Sequence, residues 1–408
     1  MALRDLLTHA GFMRFLAARL FASVAVQMQT VAVGWQVYSI TGKPLDLGLI
    51  GLSQFLPFVL LVLPAGHVAD RHNRAAILSL CMALEFLCAL ALLAFTVSGL
   101  TVAWPVFAVM VVFGIARAFS MPAGQAIMPN LVPPALFSRA VAVNSSTWQL
   151  STIAGPAIGG LVYLLGPDVV YVSVAGLLAA AFVCIIGVKS TVPARPAQPE
   201  SWHVLLEGLR FVWKRKVILG AVSLDLFAVL FGGAVALLPA YASDILRIGP
   251  DGFGWLRAAP GIGAALVAIA LAWRPITQQV GAQMFAGVAI FGIATVVFGW
   301  STNFWLSLAA LVVVGASDMV SVYICHLLVQ LETPDAIRGR VSAVNAVFIG
   351  AFNELGEFES GLTAAWWGLK PAVIVGGIAS IAMVGLWTRW FPALRRIDRF
   401  PESPPPPA

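Results

Sequence analysis

Seven charged residues stand in stretches that are otherwise apolar for some twenty residues at a time. They are Arg19, Arg117, Asp225 and Asp318, and the three acids Glu354, Glu357 and Glu359 of the run Asn353–Gly361. An ionised side chain at the centre of a bilayer costs at least about 2.5–3.5 kcal/mol, so such residues are rare and usually functional. Their chemistry is limited and specific. A carboxyl group can bind and release a proton, whereas a guanidinium stays charged and pairs with anions. Glu354 and Glu357 fall with Gly350 and Gly361 at i, i+4, i+7 and i+11, so the four share one helical stripe, and Glu359 points elsewhere. Counted from Arg340 at ~1.5 Å per residue, the two acids lie roughly 20–25 Å deep. Two carboxyls on one stripe in the outer half of a membrane suit proton uptake; capping by Asn353, Ser360 or nearby arginines is the alternative. Glu85, Arg257 and His326 are also charged or titratable within apolar runs, and structural pairing is the favoured reading for each.

Other chemistries are missing. The four cysteines, Cys81, Cys88, Cys184 and Cys325, form no CxxC pair, and the five histidines have no HExxH spacing. No phosphate-binding loop occurs, which excludes an ATP-driven pump. Nothing pairs a nucleophile with a base, so an enzyme is not expected, and no cofactor or metal is implied.

The elements that must hold these charges are membrane helices. The 408 residues are 60% hydrophobic and only 10% charged, against roughly 25% charged in a soluble domain. The apolar runs are continuous and do not alternate, which excludes a barrel. The pattern predicts twelve spans near 14–38, 47–69, 75–97, 103–123, 139–165, 168–188, 216–242, 252–273, 281–299, 303–330, 338–367 and 370–391. Turn residues separate them, as in Thr41-Gly42-Lys43-Pro44, Val132-Pro133-Pro134, Gly166-Pro167-Asp168, Gly249-Pro250-Asp251-Gly252 and Thr333-Pro334-Asp335. With the N-terminus inside, eighteen of the 24 Lys and Arg lie in inner segments, and only Lys43, Arg247 and Lys370 lie in outer loops. That bias places both termini in the cytoplasm. The net charge of +6 follows from this orientation and does not require nucleic acid.

The chain divides into an N-terminal six-helix bundle (1–188), a cytoplasmic linker (189–215), a C-terminal six-helix bundle (216–392) and a proline-rich tail (393–408) expected to be disordered. The linker starts stiff and proline-rich, and continues as a basic amphipathic stretch from Trp202 to Lys216, read as a helix lying on the inner membrane face. The two bundles look duplicated, with a period near 201–206 residues. Arg19-Leu20-Phe21-Ala22 matches Asp225-Leu226-Phe227-Ala228, and Gly114–Ser120 matches Gly315–Ser321. Val143-Asn144 matches Val344-Asn345, and Gly155 and Gly160 fall on Gly356 and Gly361. Arg19 is thus equivalent to Asp225, and Arg117 to Asp318. Repeated six-helix halves are a transporter architecture, with a substrate site near the midplane.

The loop Gly66-His67-Val68-Ala69-Asp70-Arg71-His72-Asn73-Arg74 resembles the GxxxDRxxR signature of the major facilitator superfamily. Gly155-Pro156-Ala157-Ile158-Gly159-Gly160 resembles the GPxxGG core of that superfamily's helix-5 antiporter motif, with Ala142 and Ser151 where upstream glycines are usual. The run Asn353–Gly361 and Gly339-Arg340-Val341 look most like the enterobactin-exporter and drug-efflux branch.

The resemblance implies an all-α, multi-pass protein of the bacterial inner membrane, a monomer. It would export a small organic molecule, siderophore-like or drug-like, by proton antiport; proton-coupled uptake on the same fold is the alternative. It implies a cavity lined by Arg19, Arg117, Asp225 and Asp318, pairing across the cleft, with static pairs inside each half as the alternative. It also implies a conformational latch at Gly66, Asp70, Arg71 and Arg74, and a packing seal at Gly155, Pro156, Gly159 and Gly160. Trp35, Trp366 and Trp367 are expected at the membrane interface, though Trp35 could stack on cargo.

Overall fold

The computed structural model describes residues 6, 8–133, 136–188 and 209–400. Most of the expected linker amphipathic stretch, including Trp202, and the tail from 401 lie outside the described residues, as do the side chains of Asp70 and of 335–340, Arg340 among them. Residues 209–214, at the end of that linker, are helical.

Among the described residues the chain is helical, without strands. The long helices are α1 (Ala10–Thr41), α2 (Pro44–Arg71), α3 (Arg74–Val97), α4 (Trp104–Ile127), α5 (Phe137–Tyr163) and α6 (Pro167–Ile186). They continue with α7 (Lys216–Phe231), α8 (Pro250–Trp273), α9 (Val280–Trp300), α10 (Phe304–Glu332), α11 (Asp335–Trp367) and α12 (Leu369–Trp390). Ten are long and apolar enough to cross a membrane, counting α7 with the turns that follow it. The remaining two, α5 and α11, run 27 and 33 residues and are richer in polar side chains.

The helix ends follow from local sequence. Gly42 closes α1 in the left-handed region, φ 61°, and donates its N–H to the Tyr38 carbonyl. Pro44 and Pro167 occupy the first turns of α2 and α6, where a missing N–H costs nothing. The Asn73 side chain accepts from the N–H groups of Ala75 and Ala76 to cap α3, and Asn303 caps α10 in the same way.

One expected element differs. The span predicted over 216–242 is regular only to Phe231. A 3₁₀ turn (Gly233–Val235), a single turn (Leu238–Ala240) and a π turn (Tyr241–Ile245) follow. The reason is packing: a Cβ at Gly233 would run into Ser360 Oγ and the Gly356 carbonyl on α11. The chain yields its helical regularity where α11 crosses it.

The described residues fall into two compact units. Those up to 188 together with Ala242–Ala258 form the first, and residues 209–241 with 259–400 form the second. In the first, a core of α1, α3, α4 and α6 side chains includes Met28, Val33, Leu92, Met110, Tyr171 and Leu178. A polar tie crosses it. The Tyr171 hydroxyl donates to Gln36 Oε1 at 2.7 Å, and Gln36 Nε2 donates to Thr96 Oγ1 at 2.9 Å. In the second, the core gathers Ile218, Leu224, Met284, Val288, Ile324, Leu328 and Trp387 from α7, α9, α10 and α12.

Candidate functional site

Each unit assembles its own cluster of intramembrane charge. In the first, Glu85 lies on the stripe of α3 that also buries Leu78, Cys81, Met82, Cys88, Ala89 and Leu92. It is 7% exposed and interacts electrostatically with Arg19 of α1 and Arg117 of α4. The Arg117 guanidinium also sits 5.6 Å from the ring centroid of Phe58 on α2. A desolvated charge needs a counter-charge, and Glu85 supplies it to both arginines. Sequence reasoning placed Arg19 and Arg117 in the site and left Glu85 out. The signal was present: in Leu78, Met82, Glu85, Ala89 and Leu92 the i, i+4, i+7 spacing puts the acid on the packed face of its helix.

In the second unit, Asp225 of α7 is 5% exposed. Ser321 Oγ of α10 lies 2.9 Å from Asp225 Oδ1 and also 2.9 Å from the carbonyl oxygen of Asp318, one turn away on its own helix. Asp318 is within electrostatic reach of Asp225, and so is His326, whose Nδ1 lies 3.0 Å from the Val322 carbonyl. The repeat is therefore visible as geometry. In each unit the first and fourth helices bring their charges together, basic in one and acidic in the other. The third helices differ, because α3 carries Glu85 whereas α9 carries no charged residue. His326, weighed from sequence as a structural residue, stands in the acidic cluster.

The helix-11 acids sit at the break after α7. Gly356 packs on the backbone of Leu230 and Val229, so that a Cβ there would lie 3.0 Å from the Leu230 carbonyl oxygen. Glu354 is buried, and Glu357 and Glu359 are half-buried.

At the opposite end of the first unit, Arg74 is fixed. Its Nη1 donates to the Ala126 carbonyl at 2.8 Å, and its Nε to that of Ala69 at 3.3 Å, tying the α2–α3 turn to the end of α4. Arg71 is exposed, and a Cβ on Gly66 would meet nothing within 4 Å.

The helix-5 glycines make close approaches. A Cβ on Gly155 would come to 2.5 Å from Gln27 Cβ of α1, and one on Gly159 to 2.9 Å from Met28 Cα. A Cβ on Gly160 would fall 2.7 Å from both the Gly254 Cα and the Pro250 carbonyl oxygen, in the part of α8 that belongs to the first unit. Backbone lies on backbone there. Trp35 stacks on Phe253 with ring centroids 5.7 Å apart. Trp366 and Trp367 are exposed.

The profile of the transmembrane secretion effector family matches residues 6–404. The chain belongs to this family of the major facilitator superfamily. It is similar to the multidrug efflux pump Tap of Mycolicibacterium fortuitum, 28% identical over 405 residues that cover 94% of this chain and 96% of the relative. It is 24% identical to the enterobactin exporter EntS of Escherichia coli, covering 98% and 95%. Among solved structures, an inward-facing bacterial homolog of the human lysosomal transporter Spinster superposes with a TM-score of 0.73 at 13% identity, over 95% of this chain and 99% of that one. A D-xylose–proton symporter does so at 0.68 and 14%, over 95% and 99%. The protein is thus a multi-pass membrane transporter and not an enzyme.

Proposed function

We propose that this protein is a secondary active exporter. It moves a small organic molecule, drug-like or siderophore-like, out across the bacterial inner membrane in exchange for protons. Twelve spans with both ends in the cytoplasm, in a monomer, accompany that reading. The observation that carries it is the acidic cluster of the second unit, where Asp225 and Asp318 come together around Ser321 with no charge supplied by α9. Two neighbouring carboxyls can hold one proton between them, so one of them is the natural seat of a transported proton. Arg19 and Arg117, held by Glu85, form the cationic counterpart facing cargo. Glu354, Glu357 and Glu359 are a second acidic group, through which protons reach the carrier from outside. Gly66, Asp70, Arg71 and Arg74 act as the inner latch. The glycines of α5 permit the close helix crossings that the cycle uses.

The test is flux in sealed vesicles of known sidedness, with purified protein and a panel of fluorescent amphiphiles and catecholates. Imposing a proton gradient should drive cargo against the direction of proton flow. Cargo that moves together with protons would replace export by uptake, the mode of the proton symporter that shares this fold.

A further inference from the structure

One end of the second unit gathers positive charge. The stretches 209–220 and 389–400 each hold four Lys or Arg, with a single acid, Asp398, between them. Packing brings the two stretches together. A Cβ on Gly220 of α7 would lie 2.9 Å from the Phe391 ring, and Leu394, Ile397 and Phe400 share a core with Phe211 and Val212. Lys214, Arg215, Lys216, Arg395, Arg396 and Arg399 all stay exposed. Trp213 and Trp390, beside them in the chain, are exposed as well.

The segment after α12 is fixed in place. Helix α9 begins at Val280 without a side-chain cap, so its first N–H groups need acceptors from elsewhere. The carbonyls of Asp398 and Ile397 supply them, accepting from Val280 at 3.2 Å and from Gly281 at 2.9 Å. Gly281 is required for this approach, because a Cβ there would run into the carbonyl oxygens of Leu394 and Arg395. The Arg215 guanidinium is held too, 5.7 Å from the centroid of the Phe211 ring. The one acid is already engaged: Asp398 Oδ1 accepts from the Gln279 N–H at 3.2 Å, and its Oδ2 lies 3.9 Å from Arg399 Nε. Among the described residues the other five cations have no carboxylate partner.

We propose that this end of the second unit is a binding site for the headgroups of anionic phospholipids. Membrane orientation alone calls for basic residues near helix ends; it does not call for a backbone clasp that fixes the turn carrying Arg395, Arg396 and Arg399. A phosphodiester brings what the cluster lacks, negative charge and acceptor oxygens that a guanidinium can grip through two N–H groups. Exposed tryptophans belong at the depth where headgroups lie. On the cytoplasmic orientation proposed above, the site faces the inner leaflet, where anionic lipid attracts basic clusters beside a span. A lipid held there ties the residues before α7 to the segment that caps α9. These residues have no part in proton carriage or cargo binding, so the inference goes beyond the exporter reading.

The test titrates the purified full-length protein in detergent with phosphatidylglycerol, with phosphatidylcholine of the same chains, and with inorganic phosphate. Native mass spectrometry counts bound lipid, and melting temperature is followed in parallel. Phosphatidylglycerol should bind and raise the melting temperature, and the other two should do neither. Arg395→Gln/Arg396→Gln/Arg399→Gln should bind phosphatidylglycerol at least about tenfold more weakly. Arg395→Lys/Arg396→Lys/Arg399→Lys keeps the charge and should keep most of the affinity. Lys214→Gln/Lys216→Gln removes charge from the other stretch, away from the clasp, and should weaken binding in the same direction. Undiminished phosphatidylglycerol binding in both glutamine variants overturns the proposal. So does equal stabilisation by phosphatidylcholine, which means an apolar contact only, or by phosphate, which means a site for a free anion. Cargo flux is not read, so failure of the exporter reading leaves this result standing.

Discussion

Ser321 bridges two helices through two oxygens: Asp225 Oδ1 on α7 and, one turn back along α10, the carbonyl of Asp318, each 2.9 Å from its hydroxyl oxygen. The hydroxyl carries a single hydrogen, so it can serve only one of these acceptors fully at a time. The bond to Asp225 is strongest when that carboxylate is ionised. A proton arriving at Asp225 weakens it and frees the hydroxyl for the helix carbonyl. In the proposed proton-driven cycle the serine would couple the protonation of the acid on α7 to the contact between α7 and α10.

Asparagine at Asp225 or Asp318 should stop gradient-driven cargo accumulation, bringing it to the level of empty vesicles. Exchange of cargo at zero gradient should continue in both variants, because exchange moves no net proton. Glu354→Gln and Glu357→Gln should slow accumulation without abolishing it, since the proposed function gives those acids proton entry and not proton carriage. The measurement is flux with and without an imposed gradient. Accumulation retained in Asp225→Asn and Asp318→Asn but lost in the glutamine variants would move proton carriage to α11.

Glu85 should matter for stability more than its single charge suggests. Removing one member of a buried ion cluster leaves the others uncompensated, at a cost of about 3–5 kcal/mol. Arg19 and Arg117 are only half-buried, so Glu85→Gln should sit near the lower end. Adding Arg19→Gln to Glu85→Gln removes one of the stranded charges and should recover part of the loss. Thermal melting in detergent reads both. If the double variant is less stable than the single, Glu85 is not the counter-charge.

The helices and their ends were legible in the sequence because their signals are local. Apolar run length gives the helices, and Gly42-Lys43-Pro44 or Gly166-Pro167 gives their ends. The repeat placed Asp225 and Asp318 on one half as the counterparts of Arg19 and Arg117, and the structure brings the two acids within electrostatic reach. What was not legible depends on packing. Glu85 looked incidental because the sequence does not say which face of α3 meets α1 and α4. The stretch after Phe231 reads as apolar as any helix; Gly232, Gly233 and Pro239 weaken it there, and α11 packs against Gly233. Trp35 has the composition of an interfacial anchor, and its partner Phe253 lies more than two hundred residues away.

Glycine substitutions should separate close packing from mere helix content. Gly160→Leu forces a side chain into the backbone of α8, where the first added carbon already meets atoms at 2.7 Å. Overpacking of this kind costs about 1–3 kcal/mol or more, and transport should fall with it. Gly66→Ala points its methyl into open space. It should be neutral to slightly stabilising, by up to about 1 kcal/mol, since alanine suits a helix interior better than glycine. Comparable melting temperatures for the two variants would show that α5 and α8 can separate freely.

Among the described residues three buried amide oxygens have no partner, Gln29 Oε1 on α1, Asn144 Oδ1 on α5 and Asn345 Oδ1 on α11. Of these residues Gln29 and Asn345 are the most buried, 2% and 5% exposed. An acceptor buried without a donor costs about 1–3 kcal/mol, and an apolar side chain of the same shape avoids that cost. Gln29→Met and Asn345→Leu should therefore raise the melting temperature of the purified protein, each by the equivalent of about 1 kcal/mol. Flux decides what the cost was for. A variant that melts higher and transports normally identifies the amide as a tolerated imperfection. One that melts higher and transports poorly shows that the oxygen finds its donor elsewhere in the cycle, on cargo or on a helix that moves. A lower melting temperature in both variants would mean that the oxygens are satisfied after all, by water held in the bundle.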